Sequence, residues 1–166
     1  MKKITRLLVA LALFATLFTN AQNEGDIKLG AGLSYGFDIE EIGIQANGYY
    51  TLDEKMRVGA DFNYFLTGGN DAVDLTAWEF NGNFHYIFSR ENEMVLYGLG
   101  SLGFHYSKAE VSLLGNTSSS TSSDIGFGIG GGIEYDLGNL LLFGEPRLFL
   151  SGFEQLAITV GIRFPL

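Results

Sequence analysis

Leu156-Ala157-Ile158-Thr159-Val160-Gly161-Ile162-Arg163-Phe164-Pro165-Leu166 carries a bulky apolar residue at every second position up to the end of the chain. A period of two sends successive side chains to opposite faces of a strand, so this segment has one greasy face and one face of small and polar groups. Seven earlier segments repeat the pattern. Eight such strands, apolar on one face and lined with glycine, amides and charge on the other, fit a closed sheet with its polar face inside. Lipid selects that arrangement, because a closed barrel leaves no backbone edge unpaired in hydrocarbon. The expected fold is all-β: an eight-stranded antiparallel up-and-down transmembrane β-barrel.

The first segment sets Ile27, Leu29, Ala31, Leu33, Tyr35 and Phe37 against Lys28, Gly30, Gly32, Ser34 and Gly36. The second opposes Ile42, Ile44, Ala46 and Tyr50 to Gln45, Asn47, Tyr49 and Thr51. The third opposes Met56, Val58, Ala60, Phe62, Tyr64 and Leu66 to Arg57, Gly59, Asp61, Asn63 and Phe65. In the fourth, Trp78, Phe80, Phe84, Tyr86 and Phe88 face away from Glu79, Asn81, Asn83 and His85. The sixth alternates Ile125, Phe127, Ile129, Ile133 and Tyr135 with Gly126, Gly128, Gly130, Gly132 and Glu134. The seventh sets Leu140, Leu142, Leu148 and Leu150 against Phe143, Glu145, Arg147 and Phe149, with Pro146 predicting a local defect in the ladder because it has no N–H.

The fifth segment, about Val95 to Ser107, reads two ways. Leu102, Phe104 and Tyr106 belong on the apolar face, whereas Val95, Tyr97 and Leu99 fall on the other. A bulge near Gly100 reconciles the halves, and so does an inward Tyr97 filling space left by glycines.

Connections alternate in length. Leu52–Lys55, Arg90–Glu93 and Gly138–Asn139 are tight turns, while Thr67–Asp74 and Leu113–Asp124 are long. The Ser- and Thr-rich 113–124 stretch is expected to be a mobile loop. Outer-membrane barrels have short periplasmic turns and longer outside loops, so both termini are expected on the periplasmic side. Aromatic residues then gather in two girdles, with Tyr50, Tyr86, Phe88, Tyr135 and Phe164 at the inner interface. Tyr35, Phe37, Tyr64, Trp78, Phe80, Phe104, Tyr106 and Phe127 mark the outer one.

The inward face has four cations, Lys28, Arg57, Arg147 and Arg163, and four carboxylates, Asp61, Glu79, Glu134 and Glu145. In a narrow lumen balanced charges pair, which avoids the cost of an isolated buried ion. Inward glycines are expected to make room for long side chains on the facing strands.

Lys2, Lys3 and Arg6 precede an apolar run from Leu7 to Phe18, too short to span a bilayer as a helix but suited to a secretory signal. Small residues at Thr19 and Ala21 predict a signal peptide over residues 1–21, with the barrel domain over 22–166 and Gln22 as first mature residue. Seven basic and nineteen acidic residues then remain, a net charge of −12 that argues against nucleic acid as a partner. No cysteine is present, which excludes thiolate metal sites, disulfides and a cysteine-linked lipid anchor. Two histidines do not make a dedicated transition-metal site, and no cofactor motif is found: the 126–132 glycines lead into no helix.

The eight alternating segments, the short signal core and the apolar-x-apolar terminus resemble the small outer-membrane β-barrel family of the OmpA/OmpX-like class over residues 25–166. Tyr97-Gly98-Leu99-Gly100-Ser101-Leu102-Gly103-Phe104 and Gly161-Ile162-Arg163-Phe164 are similar to versions widespread among porin-like Bacteroidetes barrels. The resemblance implies an outer-membrane location, contact with membrane lipid and lipopolysaccharide, and insertion by the barrel-assembly machinery. That machinery reads a terminal aromatic in the family; here the last aromatic is Phe164, with Leu166 at the end.

His105-x-Ser107 is similar to the base and nucleophile pair of outer-membrane lipid A deacylases, which are also small barrels. Alternation sends both residues inward, whereas the deacylase site faces lipid, and Lys108 stands where that family has Asn. The expectation is therefore a non-enzymatic membrane scaffold that displays surface loops to an unidentified extracellular partner. The alternatives are a narrow porin-like pore, a deacylase-type enzyme, and a soluble lipocalin-like binder, whose polarity would be reversed. A wide pore is disfavoured, because eight strands enclose a lumen that side chains fill.

Overall fold

The computed structural model describes residues 25–68, 73–113 and 116–166. The expected signal peptide lies outside them. Eight strands follow in chain order: β1 (Ile27–Gly36), β2 (Glu41–Thr51), β3 (Met56–Phe65), β4 (Val73–Glu91), β5 (Met94–Leu113), β6 (Asn116–Asp136), β7 (Leu141–Phe149) and β8 (Gln155–Pro165). Each pairs antiparallel with its sequence neighbour, and β1 pairs with β8 to close the barrel.

The two faces of each strand divide as the alternation requires. Lys28, Arg57, His85, Glu134 and Arg163 inside the barrel have no exposed surface, whereas the outward Leu33, Leu102, Ile125 and Val160 are 55–66% exposed. A soluble barrel buries its aliphatic residues and exposes its charges. This partition is the reverse, and it excludes the lipocalin-like reading.

Along β5 the alternation runs without a break. Val95, Tyr97, Leu99, Ser101 and His105 are all buried inside, so the inward Tyr97 is the correct resolution and no bulge occurs at Gly100. The facing glycine makes this possible: a Cβ at Gly132 would overlap the Tyr97 ring. The register shift instead falls on β4, between Ile87 and Ser89, and leaves Phe88 without a β5 partner on the outward face it shares with Phe84 and Tyr86, 70% exposed.

Pro146 interrupts the ladder as expected. β6 and β7 pair from Gly128↔Phe149 to Gly130↔Arg147 and again from Ile133↔Gly144 onward, with the same register on both sides of the gap. Pro146 supplies no N–H at that gap, while its pairing with Ile158 of β8 is uninterrupted.

The central strands correct one expectation. Residues 116–124 are not a loop but the first part of β6, paired residue for residue with β5 from Asn116↔Leu113 to Asp124↔His105. The apolar alternation fails there because a strand above the bilayer has water on both faces and needs no greasy side. The backbone ladder continues without it. β4 likewise begins at Val73, inside the stretch expected to be a loop, and residues 69–72 lie outside the described residues. The result is a three-stranded extension of β4, β5 and β6 rising above the other five strands.

The outer girdle forms a continuous aromatic cluster around Trp78. Its ring stacks on Tyr106 at 5.3 Å and contacts Phe104 at 5.6 Å and Phe62 at 5.9 Å.

Candidate functional site

The lumen is filled by a hydrogen-bonded ion network. Glu134 on β6, near the end of the barrel where β1 begins and β8 ends, accepts from Lys28 Nζ at 2.9 Å, Arg57 Nη1 at 2.8 Å and Arg163 Nη1 at 2.6 Å. These partners come from β1, β3 and β8, so one carboxylate ties together strands from most of the circumference. Arg163 continues the chain through a short contact to Glu145 on β7, and its Nε donates to Asn47 Oδ1 at 3.1 Å. Tyr97 OH accepts from Arg163 at 2.9 Å and donates to Glu145 at 2.8 Å.

A second tier lies farther out. Arg147 reaches Asp61 at 2.8 Å and Glu145 at 3.5 Å. Asp61 also accepts from Asn81 at 2.8 Å and Asn83 at 2.6 Å, and Ser101 donates to Asn83 at 2.6 Å. The network therefore runs unbroken from Lys28 to Ser101. It holds four cations but three carboxylates. Glu79 stands apart from it and pairs with His105, 3.3 Å away and directly opposite in the β4–β5 register.

Aromatic rings pack the guanidinium groups. Arg163 sits 3.9 Å from the Phe143 ring centre and 4.5 Å from that of Tyr49, and Arg57 sits 4.7 Å from that of Tyr97. His85 lies between Tyr49 and Tyr97, with ring centres 4.4 and 4.5 Å away. A guanidinium face on a ring keeps its edge nitrogens free for carboxylates, so the packing and the ion pairs reinforce each other. The inward glycines provide the space: a Cβ at Gly30 would lie 2.7 Å from Arg163 Cγ, and one at Gly59 would enter the Tyr49 ring.

All eight charged residues expected in the lumen are buried there. Sequence periodicity supplied their facing but not their partners, which depend on how the strands are staggered around the barrel. The His105–Glu79 pair and the Tyr97 bridge were not anticipated. Glu79 and His105 do share an inward parity on adjacent strands, and that was the available signal.

The deacylase-like pair has a different setting from a lipid-facing site. His105 is buried, its ring stacks on Phe153 of the β7–β8 turn at 4.7 Å, and Glu79 holds its Nδ1. No hydrogen bond joins His105 to Ser107 among the described residues. Ser107 instead lines an outer recess of about 260 Å³ that also includes Leu75, Ala77, Ala109 and Ser120. A second recess of about 200 Å³ opens at the opposite end of the barrel, beside Arg90, Glu93 and Glu134. The two share no lining residue.

Solved structures with the same architecture support the fold. The N-terminal β-barrel domain of Pseudomonas aeruginosa OprF superposes with a TM-score of 0.68 at 12% identity, over 87% of this chain and 100% of that one. Ail, the attachment invasion locus protein of Yersinia pestis, gives 0.60 at 17% identity over 86% and 99%. Neisserial surface protein A gives 0.54 at 15% identity over 84% and 94%. No curated protein matches the chain in sequence. A family match does, covering residues 7–145. With a closed eight-stranded barrel, an apolar exterior and that match over most of its length, the chain belongs to the outer membrane protein beta-barrel domain family and is an outer-membrane protein.

Proposed function

We propose that this protein is a sealed, non-enzymatic scaffold, exported by its first 21 residues, whose working part is the surface it presents outside the cell. One observation carries the reading: Arg57 on β3 meets Glu134 on β6, and Arg147 on β7 meets Asp61 on β3, pairs that cross the lumen between non-adjacent strands with side chains at most 7% exposed. Opening a path for a hydrated ion would require several of these pairs to separate at once. Breaking one buried pair already costs about 3–5 kcal/mol. The apolar band contacts membrane lipid, the outer rim lipopolysaccharide, and the barrel-assembly machinery inserts the chain through its terminal strand. Cofactors and nucleic acid have no part in this reading.

Single-channel recording on purified, refolded protein in planar bilayers tests it. The expected trace has no resolved conductance steps. Steady steps in the wild-type protein would replace the sealed scaffold with a narrow pore. Export has its own test: N-terminal sequencing of protein recovered from outer membranes is expected to begin at Gln22, and finding Met1 removes the signal-peptide reading.

A further inference from the structure

The β4–β5–β6 extension has two edges, and they are treated differently. On the β4 side, the segment after β3 closes over the edge: Thr67 Oγ1 donates to the Leu75 carbonyl, and Gly68 N donates to Glu41 at 3.2 Å. On the β6 side, pairing with β7 begins only at Gly128, and the Leu150 N–H reaches Phe127 O at 2.8 Å. Among the described residues, no strand pairs with the outer edge of Ser118–Asp124.

The facing of that edge follows from its neighbours. Phe127 directs its carbonyl toward Leu150 and its N–H toward Ser151, so odd-numbered residues of β6 point their backbone groups to the β7 side. The β5–β6 register is constant along its whole length, and the same parity extends outward. Ser119, Thr121 and Ser123 therefore turn an N–H and a C=O each to the open side, two residues apart, in the spacing an added antiparallel strand requires. Natural edges are blunted by lysine, proline, bulges or short length. Ser118-Ser119-Ser120-Thr121-Ser122-Ser123-Asp124 has none of the first three and its six hydroxyl residues are exposed.

The electrostatics select the occupant. On the outer side the described residues include Asp38, Glu40, Glu41, Glu110, Asp124 and Glu154, against Lys108, which is paired with Glu110 at 2.9 Å. A second copy of this chain would bring the same acidic surface to the contact and be repelled. We infer that the open edge of β6 at Ser118–Asp124 takes a basic, extended polypeptide segment as an added strand. Main-chain hydrogen bonds supply the contact, and lysine or arginine at alternate positions answers Asp124 on the strand itself, Glu110 opposite Ser119 and the acidic rim of the barrel. This deepens the display reading and rests on it.

The test uses the full barrel in lipid nanodiscs and three synthetic peptides of about nine residues, enough to cover the edge. One alternates Thr and Lys, one alternates Thr and Glu, and one is the Thr–Lys peptide N-methylated at every residue so that neither edge can donate. The Thr–Lys peptide is expected to bind and to slow amide exchange at Ser119, Thr121 and Ser123. The Thr–Glu and N-methylated peptides are expected to bind at least about tenfold more weakly.

Thr121→Pro deletes a donor on the open side without removing a bond to β5, and is expected to weaken the Thr–Lys peptide about tenfold, whereas Thr121→Ala leaves it unchanged. Equal binding of the N-methylated peptide would reduce the effect to charge alone and overturn the strand addition, even where Thr121→Pro fails to fold. Equal binding of the Thr–Glu peptide, or no binding at all, overturns the basic-segment assignment. Self-association of the wild type that Thr121→Pro abolishes would make a second copy the occupant and likewise overturn it. Any of these results with a silent bilayer trace leaves the sealed scaffold standing, whereas a conducting wild-type barrel removes that reading by itself.

Discussion

Arg147 on β7 and Asp61 on β3 bond across the full width of the lumen, Nη2 to Oδ2 at 2.8 Å, from strands four places apart in an eight-strand ring. A contact of that kind acts as a strut. It holds opposite walls at a fixed distance, and both partners are buried.

Replacing Arg147 by Met leaves Asp61 buried with its two amide donors and no cation, a change expected to cost about 3–5 kcal/mol. Leu148→Ala, next in sequence but facing lipid, is expected to cost about 2 kcal/mol, the transfer value of the lost methyl groups. Urea unfolding in detergent, followed by the fluorescence of Trp78, measures both. Equal destabilisation of the two variants would mean that the lumen charges are hydrated rather than paired.

Gly132 and Gly100 allow a sharper comparison within one sheet. A Cβ at Gly132 would run into the Tyr97 ring, which bridges Arg163 and Glu145, whereas a Cβ at Gly100 meets nothing within 4 Å. Gly132→Val is expected to lower stability by about 1–3 kcal/mol through overpacking. Gly100→Val is expected to be neutral or better, since β-branched residues suit a lipid-facing strand. If Gly132→Val unfolds at the wild-type urea concentration, the inward glycines are not there to seat Tyr97.

Amide exchange checks the extension directly. Residues of β6 whose N–H groups point to β5, such as Ser120 and Ser122, are expected to exchange more slowly than Ser119 and Ser123, which point to the open side. An epitope replacing residues 114–115, between the two strands, is expected to label on intact cells. Labelling only after lysis would invert the membrane orientation.

Strand number, closure and the facing of nearly every side chain were readable in the sequence, because lipid outside and a polar lumen inside write opposite chemistries onto alternate residues. Two things were not readable. Residues 116–124 lack alternation, since water wets both faces there, and the chain signals a strand only through a partner, Ser107–Leu113, that periodicity does not identify. The ion partners were also hidden: Glu79 looked like one of four equivalent carboxylates, yet the stagger of β4 against β5 sets it beside His105 and away from every arginine of the network. Tyr97 was readable as inward only by weighing it against the glycines it fills.

His105 tests the non-enzymatic reading most directly. Its Nδ1 is held by Glu79, an arrangement that orients a general base in many hydrolases, so the residue deserves a chemical rather than a geometric answer. The ring is buried and stacked on Phe153, no hydrogen bond links it to Ser107, and neither side chain faces the acyl chains of the bilayer. His105→Ala and Ser107→Ala are therefore expected to leave the lipid A acylation pattern of expressing cells unchanged, as read by mass spectrometry. The Glu79–His105 pair is then a local brace at the outer rim, and Glu79→Gln is expected to reduce stability while the lipid A spectrum stays as it was. A deacylated lipid A species that is present with the wild-type protein and lost in either single variant would make this barrel an enzyme, with a site opening toward lipid in a conformation other than the one described.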